Sequence, residues 1–282
     1  MRTMITATNT MSQLQKQMDT IGNNLANLNT TGYKRREVNF SELLYQQFNN
    51  QPFPEQEVGR LTPNGIRQGV GAKLGHTNIS MTQGSIKTTD RPLDIAFTKE
   101  GQFLQVMVEE NGVQTPHFTR DGALYLSPLA DGSNQVGLVN SSGNPVLDED
   151  GDPITFFDNF KEVNISPNGV ISVIPSQAGL PNQVYNLSVV EVHRPQLLES
   201  VGGNLFALPN LNELGVAADE VFTSLQGNLR GQVGMQQGAL EQSNVDMSTE
   251  MSDLLMAQRS YQFNAKSISI SDQMMGLVNG IR

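Results

Sequence analysis

Met4-Ile5-Thr6-Ala7-Thr8-Asn9-Thr10-Met11-Ser12-Gln13-Leu14-Gln15-Lys16-Gln17-Met18-Asp19-Thr20-Ile21-Gly22-Asn23-Asn24-Leu25-Ala26-Asn27-Leu28 carries apolar side chains at Met4, Ala7, Met11, Leu14, Met18, Ile21, Leu25 and Leu28. The intervals alternate between three and four residues without a break. That is the seam of a helix that packs lengthwise against other helices. Most positions between the apolar ones hold Thr, Gln, Asn and Ser rather than the Glu/Lys pairs that usually select a partner. The helix is expected to stop around Asn29-Thr30-Thr31-Gly32, with Gly32 available for a left-handed cap. A second short helix is expected over Val38 to Phe48, with Phe40, Leu43, Leu44 and Phe48 on one face.

The other end mirrors the first. Asp246 or Ser248 can cap a helix whose first turn holds Glu250 and Asp253, both favourable near the positive end of the helix dipole. Leu254, Ala257, Tyr261, Ala265, Ile268, Met275 and Val278 form one helical stripe, and Phe263, Ile270, Met274, Leu277 and Ile281 form a second beside it. Two adjacent stripes require burial over a wide arc, so one partner would not cover this helix.

Between these ends the helical period disappears. Gln46-Gln47-Phe48-Asn49-Asn50-Gln51-Pro52 through Pro54 reads as a polar linker. Short alternating runs follow, at Leu93 to Phe97, Phe103 to Val108 and Tyr185 to Val192. Asp121-Gly122 and Asn168-Gly169 each stand between apolar runs as hairpin signals. The expected fold is α+β and mainly β: N- and C-terminal helices paired as a coiled-coil-like stalk flanking a central all-β domain. The expected segments are 1–48 for the N-terminal helical region, 49–60 for the linker, 61–242 for the β-rich domain and 243–282 for the C-terminal helix.

Composition removes most chemistry. Of 282 residues, 18 are basic and 28 acidic, a net charge of −10 with a pI near 4.8, which offers no footprint for nucleic acid or anionic lipid. There is no Cys, which excludes thiol nucleophiles, disulfides and thiolate metal sites. No apolar run approaches the roughly 20 residues of a spanning helix, so no membrane insertion is expected. The first residues lack the apolar core, about 7–15 residues long, of a cleavable signal peptide, so export by another route is expected.

His76, His117 and His193 stand far apart and outside any His-Glu-x-x-His frame, and are assigned to unrelated surface or loop positions. Gly65, Gly69, Gly71 and Gly75 fail the dinucleotide pattern at Leu74, and no Gly-Lys-Ser/Thr follows, leaving a glycine-rich turn before a strand. Asp148-Glu149-Asp150-Gly151-Asp152 lacks the calcium-loop order, since Gly151 is fourth and Asn159 twelfth, and reads as a solvated hairpin turn. No catalytic residue, cofactor or metal ligand is assigned, and the chain is not expected to be an enzyme.

Two groups of residues carry a resemblance. Asp19-Thr20-Ile21-Gly22-Asn23-Asn24-Leu25, continuing into Ala26-Asn27-Leu28-Asn29-Thr30-Thr31-Gly32-Tyr33-Lys34, resembles the N-terminal signature of bacterial flagellar rod and hook proteins. At the other end Ser243-Asn244-Val245-Asp246, Glu250-Met251, Ala257-Gln258-Arg259-Ser260-Tyr261, Asn264-Ala265-Lys266 and Asp272-Gln273-Met274 resemble that family's C-terminal helix. In the middle, Pro63 to Gly71, Gln83-Gly84-Ser85-Ile86, Pro92-Leu93-Asp94-Ile95-Ala96 and Phe118-Thr119-Arg120-Asp121-Gly122 are similar to the segments that open the β-domain of distal-rod members. Lys99 to Phe103 is more polar than the family turn, and Leu129 to Phe160 is longer and more acidic. A hook or rod–hook paralogue therefore stays open.

The resemblance implies a structural subunit of the flagellar basal body, exported without a cleavable signal. Its terminal helices would line an axial tube that transmits torque and conducts exported subunits. Implied partners are further copies, other rod and hook proteins and the flagellar type III export apparatus, with the ends ordered only on docking. The contact residues expected from the seam are Met11, Leu14, Met18, Ile21 and Leu25, facing Leu254, Tyr261, Ile268 and Met275. Asn23, Asn24 and Asn27 are expected to hydrogen-bond between closely packed helices, and Arg259 to meet a carboxylate of an adjacent subunit. Two readings from other classes are a secreted coiled-coil and β adhesin, and an enzyme acting on cell-wall glycan. The latter needs a facing carboxylate pair that nothing in the sequence indicates.

Overall fold

A computed structural model describes residues 2–42, 45–48, 66–69, 72–110, 112–129, 134–177, 179, 181–209, 211 and 215–280. The N-terminal seam forms helix α1, Arg2–Ala26, and the C-terminal stripes form helix α2, Met247–Gly280. Between them the described residues are strands and turns, apart from 3-10 turns, the helical residue Leu211 and the helical turn Ala218–Val221. The chain is thus α+β and mainly β, with terminal helices flanking strands. It divides into two compact units: residues 1–25, 36–78 and 247–282 in the first, and residues 26–35 and 79–246 in the second.

In the first unit the segment expected to be a short helix is a ribbon instead. Arg36–Glu42 pairs with Ala72–Ile79, and Tyr45–Phe48 pairs antiparallel with Ile66–Gly69. The reason lies in Glu37-Val38-Asn39-Phe40-Ser41, which alternates polar and apolar with period two. The helical spacing of Phe40, Leu43, Leu44 and Phe48 competes with this alternation and loses to it. Gln46 to Phe48, expected in the linker, belongs to a ribbon strand, whereas 49–65 lie outside the described residues. So do Gly65 and Gly71 of the glycine-rich stretch.

The second unit is built on a six-stranded antiparallel sheet. Its order is Glu199–Gly202, Leu205–Ala207, Val113–Thr119, Gln102–Glu110, Val189–Val192 and Phe222–Ser224. Period two distributes adjacent residues to opposite faces. Leu104 and Val189 enter a large core with Val136, Phe156 and Ile171, while Phe103 and Val190 enter a smaller one with Phe118 and Phe206. In the smaller core the Phe103 and Phe206 rings meet edge to face, centroids 5.8 Å apart. Two three-stranded sheets complete the larger core: Thr155–Phe157, Gln135–Val139, Tyr125–Pro128, and Phe160–Ile165, Val170–Pro175, Gln183–Asn186.

The Asn168-Gly169 hairpin is present, with Gly169 at φ +79°. The Asp121-Gly122 hairpin is absent, because Tyr125–Pro128 pairs with Gln135–Val139 and not with Val113–Thr119. Gly122 is required there for another reason: a Cβ would lie 1.8 Å from the Ile95 carbonyl oxygen, so the chain crosses that strand in direct backbone contact. The run Tyr185 to Val192 is divided at Leu187-Ser188, its halves serving different sheets.

The acidic loop is a turn held by its own backbone. Asp148 Oδ1 accepts the N–H groups of Asp150 and Asp152, each at 3.0 Å. Glu149 accepts from Asn186 Nδ2 at 2.8 Å and from Arg230 Nη2 at 2.9 Å. The amide hydrogen bond from Asn186, followed by the Arg230 hydrogen bond and charge, holds the Glu149 carboxyl below the ordinary carboxylate range. The unfolded chain then binds this proton more readily than the folded one. The stabilisation is present above the ordinary carboxylate value and fades as pH falls through the folded one. Denaturant titrations should show Glu149→Gln weaker than the parent near neutrality, with the gap closing below about pH 4. A gap that stays constant into acid would contradict this.

His117 does not sit in an exposed loop. It lies in strand Val113–Thr119 with 2% exposure, its Nδ1 beside the Thr115 carbonyl at 3.2 Å and its Nε2 3.6 Å from Glu110 Oε1. Strand periodicity sets His117 and Thr119 on one face of the sheet, which the spacing of the three histidines does not reveal.

Candidate functional site

On α1, Ala7 and Ile21 are each 6% exposed, and Met11, Leu14, Met18 and Leu25 are half-buried, so the seam is the covered face. On α2, Ala257 is 4% exposed, and Leu254, Tyr261, Ile268 and Met275 are half-buried. The second stripe, expected beside the first, lies instead on the opposite side of α2 and is bare: Phe263 is 72%, Ile270 50%, Met274 62% and Leu277 69% exposed. Arg259 is exposed between these apolar residues. α1 ends at Ala26, three residues before the expected stop, and Gly32 is not its cap. Gly32 adopts φ +67° where a Cβ would lie 2.6 Å from the backbone of Arg120.

The asparagines behave differently from one another. Asn23 is exposed and Asn27 half-buried, whereas Asn24 is 1% exposed. The Asn24 amide reads both backbone atoms of Arg36, accepting from its N–H at 3.0 Å and donating to its carbonyl at 2.9 Å. Nδ2 also reaches Glu250 Oε2 at 3.2 Å, in the first turn of α2. One side chain thus ties the end of α1, the start of the ribbon and the beginning of α2. Glu250, itself 1% exposed, completes a contact between two segments 226 residues apart in sequence.

In the second unit stands a buried charge cluster that the sequence does not announce. Glu241 Oε1 accepts from Lys34 Nζ at 2.8 Å and from the Gly84 N–H at 2.9 Å, and Oε2 accepts from Arg120 Nε at 2.6 Å. Arg120 further donates to the carbonyls of Gln102 and Lys99, and Lys34 to that of Thr82. All three side chains are at most 1% exposed. Burial, and then the neighbouring Arg120 guanidinium, push the Lys34 ammonium below the ordinary lysine range against the pull of Glu241. Asn244 repeats the device of Asn24: Oδ1 accepts from the Arg35 N–H at 2.7 Å, and Nδ2 donates to the carbonyls of Ser80 and Thr82.

A signal for this cluster exists all the same. Lys34, Gln83-Gly84 and Arg120-Asp121 all stand in the stretches that carry the family resemblance, and in a chain only 16% charged they are conspicuous. Their convergence on one carboxylate emerges only from the fold.

The arrangement holds geometry and presents an apolar helix face. Among the described residues no group of three or more His, Asp or Glu could hold a metal ion, and no helix is long and apolar enough to cross a membrane. What the geometry shows is a chain with helical ends, one of them with a bare apolar face, and a β body held by a buried charge cluster.

Residues 4–34 match the family model described as flagella basal body rod protein, and residues 236–281 match that of the flagellar basal body rod FlgEFG protein C-terminal. The chain is 47% identical to the flagellar hook-basal body complex protein FlhP of Bacillus subtilis, over 100% of both chains. It is 32% identical to the flagellar basal-body rod protein FlgG of Borreliella burgdorferi, covering 100% of this chain and 99% of the relative. Against FlgG of Bacillus subtilis identity is 28%, over 98% of this chain and 97% of the relative. The chain belongs to the flagellar basal-body rod protein family, close to the distal rod protein FlgG. It is a structural rod protein of the flagellar basal body.

Proposed function

We propose that α1 and α2 pair antiparallel into a two-helix stalk whose remaining apolar face docks on neighbouring subunits, polymerising the chain into the axial tube. The tube transmits torque and conducts exported subunits, the chain itself reaching it through the flagellar type III export apparatus. It performs no catalysis of its own. The observation that carries this reading is the pair of opposite faces on α2, one covered and the other exposed by 50% or more at Phe263, Ile270, Met274 and Leu277. An apolar strip of that length on a soluble subunit marks an interaction surface.

The Asn24–Glu250 hydrogen bond supports one register for this pairing. Stepping outward in opposite directions sets Ile21 against Leu254, Met18 against Ala257, Leu14 against Tyr261, Met11 against Asn264 and Ala7 against Ile268. Every one of these positions is buried or half-buried. Leu25 and Met275 close the two ends of the same faces. On this reading Asn23 and Asn27 lie off the seam near the end of α1, and Arg259 meets a carboxylate of an adjacent subunit.

The difference between 47% identity to FlhP and 28% to FlgG of one organism favours the place of a paralogue of the distal rod protein over that of FlgG itself. An adhesin reading is not favoured. Because the chain has no Cys, the register can be tested cleanly. Leu14→Cys with Tyr261→Cys should form a disulfide in assembled basal bodies that leaves a monomer-sized band on non-reducing gels. Cross-linked dimers alone would show that the seam pairs between subunits and would overturn the antiparallel stalk.

A further inference from the structure

Eight of the chain's twelve methionines stand in the two terminal helices: Met4, Met11 and Met18 in α1, and Met247, Met251, Met256, Met274 and Met275 in α2. With no Cys in the chain, thioethers are its only sulfur. Their exposures differ sharply. Four thioethers of α2 are exposed, Met247 by 53%, Met251 by 40%, Met256 by 58% and Met274 by 62%, whereas Met235, paired into the β body, is 3% exposed. Of these, helical spacing sets Met256 and Met274 on the bare side with Phe263, Ile270 and Leu277.

We propose that Met256 and Met274 are a reversible oxidation site that gates incorporation of the unassembled subunit. This rests on the reading that the bare side of α2 becomes buried between subunits. A hydroperoxide transfers one oxygen to the thioether: the O–O bond breaks and an S–O bond forms. Sulfur is oxidised by two electrons, and the other peroxide oxygen leaves as water or alcohol. The product is a polar sulfoxide in place of a flexible apolar side chain. On an exposed helix face this change is tolerated. In a closing apolar interface it leaves a strong acceptor without a donor, repeated in every subunit. Once the face is covered, peroxide no longer reaches the sulfur, so assembled subunits are protected and free ones are sorted. Reduction of the sulfoxide by a thiol-dependent reductase restores competence.

The test uses the full-length chain and graded hydrogen peroxide. Peptide mass spectrometry should find Met256 and Met274 oxidised early, with the exposed Met247 and Met251, and Met235 last. The subunit concentration needed for polymerisation, read by sedimentation, should rise by about tenfold or more. Melting of the β body should stay unchanged. In a chain carrying Met256→Leu and Met274→Leu the same treatment should leave the polymerisation threshold where it stood before oxidation. Oxidised parent that polymerises as before would overturn the inference, as would a double leucine variant whose threshold rises equally on oxidation. Untreated chain that never polymerises would instead sink the assembly reading, and the inference with it.

Discussion

Glu241→Ala is expected to unfold the β body under conditions where the parent is stable. The substitution removes the carboxylate that bridges two buried cations, leaving Lys34 and Arg120 facing one another without it. Breaking a buried ion pair from one side destabilises by about 3–5 kcal/mol. For a unit of this size that lowers the melting temperature by about 6–20 °C. Lys34→Met should be far milder, within about 1 kcal/mol, since the Arg120–Glu241 pair and its hydrogen bonds remain. The Thr82 carbonyl also keeps a donor in Asn244 Nδ2, at 3.0 Å.

The two variants should also differ from the parent in alkali. Because the folded chain holds the Lys34 proton less tightly than the unfolded one, this group's contribution to stability rises with pH between its folded value and the ordinary lysine value. Lys34→Met should lack that rise. If it proves as damaging as Glu241→Ala, the cluster is held by shape and not by charge balance.

A carboxylate on either side of α2 should separate two steps of assembly. Phe263→Asp lies on the bare face, 72% exposed, so the isolated subunit should fold and melt as the parent does while polymerisation is abolished. Ile268→Asp lies on the covered face and should loosen the helix pair itself, exposing α1 to protease in addition to abolishing assembly. The β body should be unaffected in both. Normal swimming of cells carrying Phe263→Asp would show that this face meets nothing in the rod. Asp150→Ala, in the exposed acidic turn, serves as the silent control.

The N-terminal helix is legible in the sequence because a three-four spacing sustained over seven intervals has no strand interpretation, and the C-terminal one because Leu254, Ala257, Tyr261, Ala265 and Ile268 keep a spacing of three or four. The double stripe on α2 also indicates, from its spacing alone, that one neighbour is insufficient. The ribbon from Arg36 is not legible. Phe40, Leu43, Leu44 and Phe48 fit a helical spacing, and the competing alternation of Val38 and Phe40 spans too few residues to outweigh it. His117 shows the same limit, since a strand hides its faces until its register is known. The Glu241 cluster is illegible for a different reason. Its partners lie 207 and 121 residues away, and no local pattern marks two cations and an acid as neighbours. Individual residues such as Lys34 and Arg120 can be noticed; their meeting cannot be derived.

The strands at the two ends of the β body have a mechanical consequence. Ile86–Thr88 runs antiparallel to Ala239–Glu241, with Ile86 opposite Glu241, and the ladder continues outward through the Gln242 N–H to the Ser85 carbonyl at 2.9 Å. The chain therefore enters and leaves at the same end of one two-stranded ladder. Tension drawing entry and exit apart acts along the hydrogen bonds, which lie perpendicular to the strands, and opens them one rung at a time instead of sharing the force. This is the weakest way to pull a β pair. Glu241 stands next to that first rung, joined to the opposite strand's approach through Gly84 and to Lys34 and Arg120 besides. The fold thus sets a buried cluster of charged hydrogen bonds beside the point where such tension would begin to open it.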